Sequence, residues 1–305
     1  MDLKNNMWVI KNRKIFLAIS ALFVLGALFL IFIEGLKFGI EFTGGSLTEV
    51  VYKDARPEVS EIRNEITPLT FGEFIVQPTE ENGVFVKTRS LTENERVSLI
   101  SALSFDGEKV VEEKSFTSIG PSVGKELKSK STIALIIVII SIILFIAYTF
   151  RQVSKPVSSW KYGIIAIITL LHDVVIATGA FAVMGKLMGA EVDTLFVVAL
   201  LTILGLSIND TIVVFDRIRE NLSRRKNDSF KEIVGKSLDE TYVRSINTSL
   251  STVIVLLALF FFGPESTKVF SMTMAIGMFF GTYSSVFLAS PLLVVIEENQ
   301  KQKED

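Results

Sequence analysis

Six stretches of the chain are apolar for long enough to cross a membrane: about 15–33, 131–150, 163–184, 194–215, 245–262 and 268–296. A helix needs roughly 20 such residues to span the hydrocarbon, and the last stretch is long enough to tilt or to end in the interface. Between the first two lies a polar segment, 36–130, with a different rhythm. Ser46 to Tyr52 alternates as a strand, and PEVSEIRNEIT (57–67) sets Val59, Ile62 and Ile66 on one helical face, with Pro57 in the first turn. Glu73–Val76 and Val84–Thr88 flank the turn signal Glu81-Asn82-Gly83. Thr92-x-x-Glu95 opens a second helix as a capping box, with Val97, Ile100 and Leu103 on one face, and Lys109–Phe116 reads as a last strand. The order is βαββαβ, a ferredoxin-like arrangement.

The expected fold is thus a polytopic α-helical membrane protein of six transmembrane helices, with one ferredoxin-like α+β domain between helices 1 and 2. The expected division is 1–35 (N-tail and first helix), 36–130 (outer domain), 131–296 (helices 2–6, with a loop at 217–244) and 297–305 (C-tail).

Composition agrees with this pattern. Of 305 residues 49% are hydrophobic, and mean hydropathy is +0.48, above the range of soluble domains. A net charge of −2 gives no reason to expect nucleic-acid binding, and the absence of Cys removes disulfides and thiolate metal sites. The single histidine, His172, rules out a multi-histidine metal centre. No metal and no cofactor are expected. The first apolar run is long for a signal peptide and lacks an A-x-A site, so it reads as an uncleaved anchor. Cations set the orientation. Lys4, Lys11, Arg13 and Lys14 precede the first helix, Arg151, Lys155 and Lys161 follow the second, and Arg219, Arg224, Arg225, Lys226, Lys231 and Lys236 follow the fourth. Both termini are therefore expected in the cytoplasm and the 36–130 domain outside.

Ionisable groups inside membrane helices are costly and point to function unless they only fix packing. Asp173, after His172, lies ten residues beyond Gly163 and eleven before Met184, near the bilayer midplane. In ILGLSINDTIVVFDRIRE (203–220), Asn209 and Asp216 are seven apart, as are Asp210 and Arg217. Each pair shares a face two turns apart. Gly205 stands one turn before Asn209, so this polar stripe is expected to let another helix approach closely. Arg217 either turns inward or snorkels to the interface. The fifth helix adds Asn247, Thr248, Ser251 and Thr252, and the sixth adds Gly277-x-x-x-Gly281-x-x-x-Ser285, a close-packing spacing. Together these suit a bundle that moves a proton or small ion.

FGIEFTGGSL (38–47), LHDVVIATG (171–179) and GLSINDTIVVFDRIREN (205–221) resemble the SecF family of protein-export membrane proteins. In the first stretch Glu41 stands where the family commonly has Asp. The resemblance implies a half-transporter of the resistance-nodulation-division superfamily. It would be multi-pass in the bacterial cytoplasmic membrane and partnered by SecD, the Sec translocation channel, the translocating preprotein and membrane lipids. It also implies use of a proton or sodium gradient to promote export. In that setting His172, Asp173, Asn209, Asp210, Asp216 and Arg217 are the expected ion relay. Gly39, Glu41, Thr43, Gly44 and Gly45 form a hinge or seat, and Gly205, Gly277 and Gly281 serve helix packing. No enzyme is expected: the residues before Asp210 are not the Gly-x-Gly of an intramembrane aspartyl protease, and FTGGSL lacks the Walker A spacing. A small-molecule or lipid exporter half of the same superfamily is the rival reading.

Overall fold

The structure, a computed structural model, describes residues 7–79, 82–149, 157–225 and 227–304. Lys4, Glu81, Arg151, Lys155 and Lys226 of the sequence reading lie outside them. In chain order the elements are α1 (Met7–Lys11), α2 (Arg13–Glu34), α3 (Ile40–Thr43), β1 (Gly45–Tyr52), α4 (Val59–Ile66), β2 (Ile75–Pro78), β3 (Gly83–Thr88), α5 (Glu93–Leu103), β4 (Val111–Ile119), α6 (Pro121–Thr149), α7 (Ser159–Leu187), α8 (Thr194–Arg224), α9 (Phe230–Phe262), α10 (Glu265–Ser284) and α11 (Ser290–Glu304). They fall into two compact units, residues 38–133 with 192–194, and the remainder.

In the smaller unit the four strands are antiparallel in the order β2-β3-β1-β4. Alternate residues of β1 and β3, among them Val50, Tyr52, Val84 and Val86, turn to the face where Ile62 and Ile66 of α4 and Leu99 and Leu103 of α5 are buried with them. Tyr52 keeps its hydroxyl satisfied there by donating to the Leu103 carbonyl at 2.9 Å, and burial pushes its pKa up to about 12. Several boundaries differ from the periodicity. Glu58, not a residue of the first turn, caps α4 in a capping box with Glu61, so Pro57 precedes the helix. β2 starts at Ile75 because Gly72, at φ +80°, turns the chain first. β4 runs on to Ile119 because it pairs along all of β1. On α5 the inward face is Leu99, Ala102 and Leu103, while Val97 is 58% exposed: the helix starts at Glu93, which sets 99, 102 and 103 on the buried side.

The Thr92–Glu95 capping box is formed: Glu95 Oε2 accepts from the Thr92 amide at 2.8 Å and its hydroxyl at 2.9 Å. Arg89, which also donates to this carboxylate, and the Thr92 donors hold its pKa down to about 2. A depressed carboxylate pKa stabilises the fold above the unfolded value, roughly 4.3, and loses that contribution as pH falls towards the folded one. Melting the chain between pH 5 and pH 3 is therefore expected to show a gap between wild type and Glu95→Gln that closes as pH drops; a constant gap would contradict it.

Among the described residues six helices are long and apolar enough to cross a membrane. The second begins at Pro121, ten residues before the expected 131, because Pro suits a helix start and the charged turn that follows is tied by Lys130–Glu126 at 2.7 Å. The expected 217–244 loop is mostly helix. α8 runs to Arg224, and α9 begins at Phe230 behind a Ser229–Glu232 capping box. Asp216–Arg219 at 2.6 Å, Arg217–Glu220 at 2.7 Å and Arg224–Glu220 at 2.7 Å support its charged helical turns. The sixth span is continuous but passes through a π-helical segment, Ser285–Ala289, between α10 and α11. Pro291 supplies the cause: it has no N–H for the Phe287 carbonyl and its ring crowds that carbonyl, so the helix widens. Ser290 Oγ donates to the Ser285 carbonyl at 3.2 Å within the widened turn.

Candidate functional site

α7, α8 and α10 meet around Asp173, which is fully buried, and the approach depends on small residues. A Cβ at Gly277 would lie 2.3 Å from Ile203 Cδ1, and one at Gly281 would lie 3.0 Å from Ser207 Cβ. The two glycines thus let α10 lie against α8 and bring Ser207 inward. Ser207 Oγ donates to Asp173 Oδ2, and Ser284 Oγ donates to the same oxygen at 2.9 Å. The other oxygen, Oδ1, is 2.8 Å from His172 Nδ1. The imidazole tautomer and the protonation of Asp173 together set which of the two atoms donates. The His172 ring is itself buried, stacked on Tyr283 at 6.2 Å, and its Nε2 has no partner among the described residues. Tyr283 in turn accepts a long hydrogen bond, 3.4 Å, from the buried Ser20 of α2.

Asp210 occupies a second polar site. Thr282 Oγ1 donates to its Oδ2 at 3.1 Å and Ser249 Oγ of α9 does so at 3.3 Å, with Ser249 and Thr282 also bonded to each other. Thr211 and Ser285 hydroxyls meet at 2.8 Å beside it. Among the described residues no hydrogen bond joins Asp173 to Asp210 directly. They are neighbours through α8, which carries Ser207 and Asp210, and α10, which carries Thr282 and Ser284.

The remaining stripe of the sequence reading points elsewhere. Asn209 and Asp216 are exposed, and nothing lies within 4 Å of a Cβ built on Gly205, so among the described residues no helix packs on that face. The helical phase explains the division: Ser207, Asp210, Thr211 and Val214 are buried, and 205, 209 and 216 lie on the opposite side. Arg217 neither enters the bundle core nor extends freely. Its guanidinium lies 2.7 Å from Glu220 and 3.2 Å from Glu240, tying α8 to α9. A groove of about 250 Å³ follows there, lined by Val213, Asp216, Arg217, Glu220, Glu240, Thr241 and Arg244. The periodicity did not single out Ser249, Thr282, Ser284, Glu240 or Arg244. The signal available was the cluster Thr282, Ser284, Ser285 inside an apolar run, polar hydroxyls that need partners there.

The glycine-rich stretch belongs to the smaller unit. The Gly39 amide donates to Val192 O at 2.9 Å, and Thr43 Oγ1 donates to Gly39 O at 3.0 Å. Gly44 (φ +76°) and Gly45 (φ +139°) take a conformation that side chains disfavour, and a Cβ would lie 2.9 Å from Pro121 Cα at the first and 2.7 Å from Thr88 O at the second. Glu41 Oε2 accepts from the Thr194 amide at 2.6 Å and from its hydroxyl. Thr194 is the first residue of α8, so this carboxylate pairs with an amide that has no partner inside the helix. No group of three or more His, Asp or Glu that could hold a metal ion occurs among the described residues.

Comparison with known proteins agrees over nearly the whole chain. The family described as protein export membrane protein SecD/SecF, C-terminal, matches residues 100–299, and the SecD/SecF GG motif matches 29–55. The protein translocase subunit SecF of Thermobaculum terrenum is 40% identical over 94% of this chain and 92% of its own, and that of Anaerolinea thermophila is 34% identical over 96% and 94%. The crystal structure of SecDF, a translocon-associated membrane protein from Thermus thermophilus, matches with a TM-score of 0.81 at 30% identity, covering 95% of this chain. This chain spans 38% of that SecDF chain. SecDF in its super-membrane-facing form matches with a TM-score of 0.68. With relatives this similar from end to end, the chain belongs to the SecF family of protein translocase subunits.

Proposed function

We propose that this multi-pass membrane protein works as one half of a SecD–SecF pair beside the Sec translocation channel, and that the pair draws on a proton or sodium gradient to promote export of preproteins. The observation that carries this reading is Asp173, buried among one imidazole and two hydroxyls at the junction of three membrane helices. A carboxylate so placed can hold an ion or proton and release it when the helices around it shift. Asp210, with its own hydroxyl partners and the neighbouring charged groove, is the second station. His172 orients Asp173, and Arg217 and Asp216 lie at the groove end. The exposed Gly205–Asn209–Asp216 face is the surface offered to SecD. The smaller unit is read as a ferredoxin-like domain on the outer side of the bacterial cytoplasmic membrane, supported by its βαββαβ order and strand order. Glu41, held to Thr194, is read with Gly39, Thr43, Gly44 and Gly45 as the hinge or seat of the smaller unit. No covalent chemistry is involved.

Copurification tests the partnership. Mild extraction is expected to bring down a SecD-like chain and the Sec channel; an assembly containing neither, but exporting small molecules, would support the rival superfamily role. Labelling tests orientation. A Cys at Asn82 is expected to react with membrane-impermeant maleimide in intact cells and one at Asn227 is not, and the reverse pattern would invert the topology.

A further inference from the structure

A cavity of about 330 Å³ opens between the first turns of α7 and the last turns of α11, lined by Trp160, Lys161, Ile164, Ile296, Asn299 and Gln300. Its chemistry is divided. Ile164 and Ile296 are apolar. Trp160 is 63% exposed, and Trp and Lys at the boundary of an apolar run are the residues that meet lipid headgroups. Lys161 has no ion pair among the described residues. Gln300 Oε1 is buried and accepts no hydrogen bond among them, although an acceptor in that position loses free energy while unpaired. Beyond Ile164 the same face of α7 continues as exposed Ile168 and Leu171, an apolar track running into the membrane from the cavity.

We infer that this cavity seats one phospholipid whose headgroup carries a hydrogen-bond donor beyond its phosphate. The phosphate sits on Lys161, the donor on Gln300 Oε1, and an acyl chain along Ile164, Ile168 and Leu171. A free anion would use Lys161 alone and leave the apolar track unused; a phospholipid uses all three. Phosphatidylglycerol and phosphatidylethanolamine supply the donor, and phosphatidylcholine does not.

The full chain, extracted from vesicles of equal parts phosphatidylglycerol, phosphatidylethanolamine and phosphatidylcholine, is examined by native mass spectrometry. Wild type is expected to retain one lipid, with either donor-bearing headgroup favoured over phosphatidylcholine by about tenfold, the value of one hydrogen bond to a buried acceptor. Lys161→Gln is expected to lower retention of all three lipids, and Gln300→Leu to abolish the headgroup preference while phosphatidylcholine retention persists. Retention in the vesicle ratio by wild type would overturn the proposal, as would variants that bind like wild type. Displacement of the lipid by soluble glycerol phosphate would also overturn it, assigning the site to a free anion. The wild-type competition decides even if a variant fails to fold.

Discussion

Replacing Asp173 by Asn is expected to reduce ion-driven translocation to the level measured without a gradient, while the chain still folds and still assembles. The side chain keeps its shape. Its oxygen can accept from Ser207 and Ser284 as the carboxylate does, and its amide can donate to His172 Nδ1 in the tautomer that carries the ring proton on Nε2. The cost is a histidine Nε2–H left without a partner, about 1–3 kcal/mol, which a six-helix bundle tolerates. The variant loses the ability to exchange a proton or bind a cation. Each charge that crosses at 100 mV supplies roughly 2.3 kcal/mol, so removing the station removes the whole driven component and not a fraction of it. Translocation into vesicles with and without an imposed gradient measures the difference directly.

Gly277→Leu is expected to damage the bundle, and Gly205→Leu to leave the isolated chain nearly unchanged. At Gly277 the first added carbon already falls 2.3 Å from Ile203 Cδ1 and 2.5 Å from Cγ1, well inside contact distance, so α10 has to move off α8. Overpacking of this kind costs about 1–3 kcal/mol. It also separates Ser207 from Asp173, because the Gly281–Ser207 approach lies one turn further along the same interface. At Gly205 nothing stands within 4 Å, so the effect on the chain alone should remain within about 0.5 kcal/mol. Thermal unfolding of the two purified variants compares them; equal losses would mean that the two glycines occupy equivalent interfaces.

This pair also marks what spacing can and cannot reveal. Four-residue spacing on the sixth helix and Gly205 on the fourth both read as close-packing signals. Only the former lies between helices of this chain, since the side a glycine faces depends on partners that the pattern of one helix does not name. The fourth-helix motif shows the same limit. Periodicity placed Asn209 with Asp216 and Asp210 with Arg217, and the helix turns the first pair outward and Asp210 inward. The sequence leaves Arg217 either in the core or at the interface, because it carries no measure of its reach to Glu240 on α9. The midplane depth expected of Asp173 rests on its distance to both ends of an apolar run, and the structure shows the side chain buried. Its partners Ser207 and Ser284 are not legible in the sequence, since hydroxyls 34 and 111 residues away carry no local signal. The charged run after Asp216 reads as a loop because its polarity outweighs its i,i+3 and i,i+4 ion pairs, which are what a solvated helix uses. In the smaller unit the strands and helices followed from alternation and caps. Their ends shifted where tertiary pairing, as along β1 and β4, extended a strand beyond its own pattern.

Ion flux through the chain reconstituted with its SecD partner tests the central claim most directly. Proteoliposomes under an imposed proton or sodium gradient are expected to conduct with wild type and to fall to the rate of empty vesicles with Asp173→Asn. Undiminished flux through that variant would contradict the account and leave the buried Asp173 cluster as a packing device.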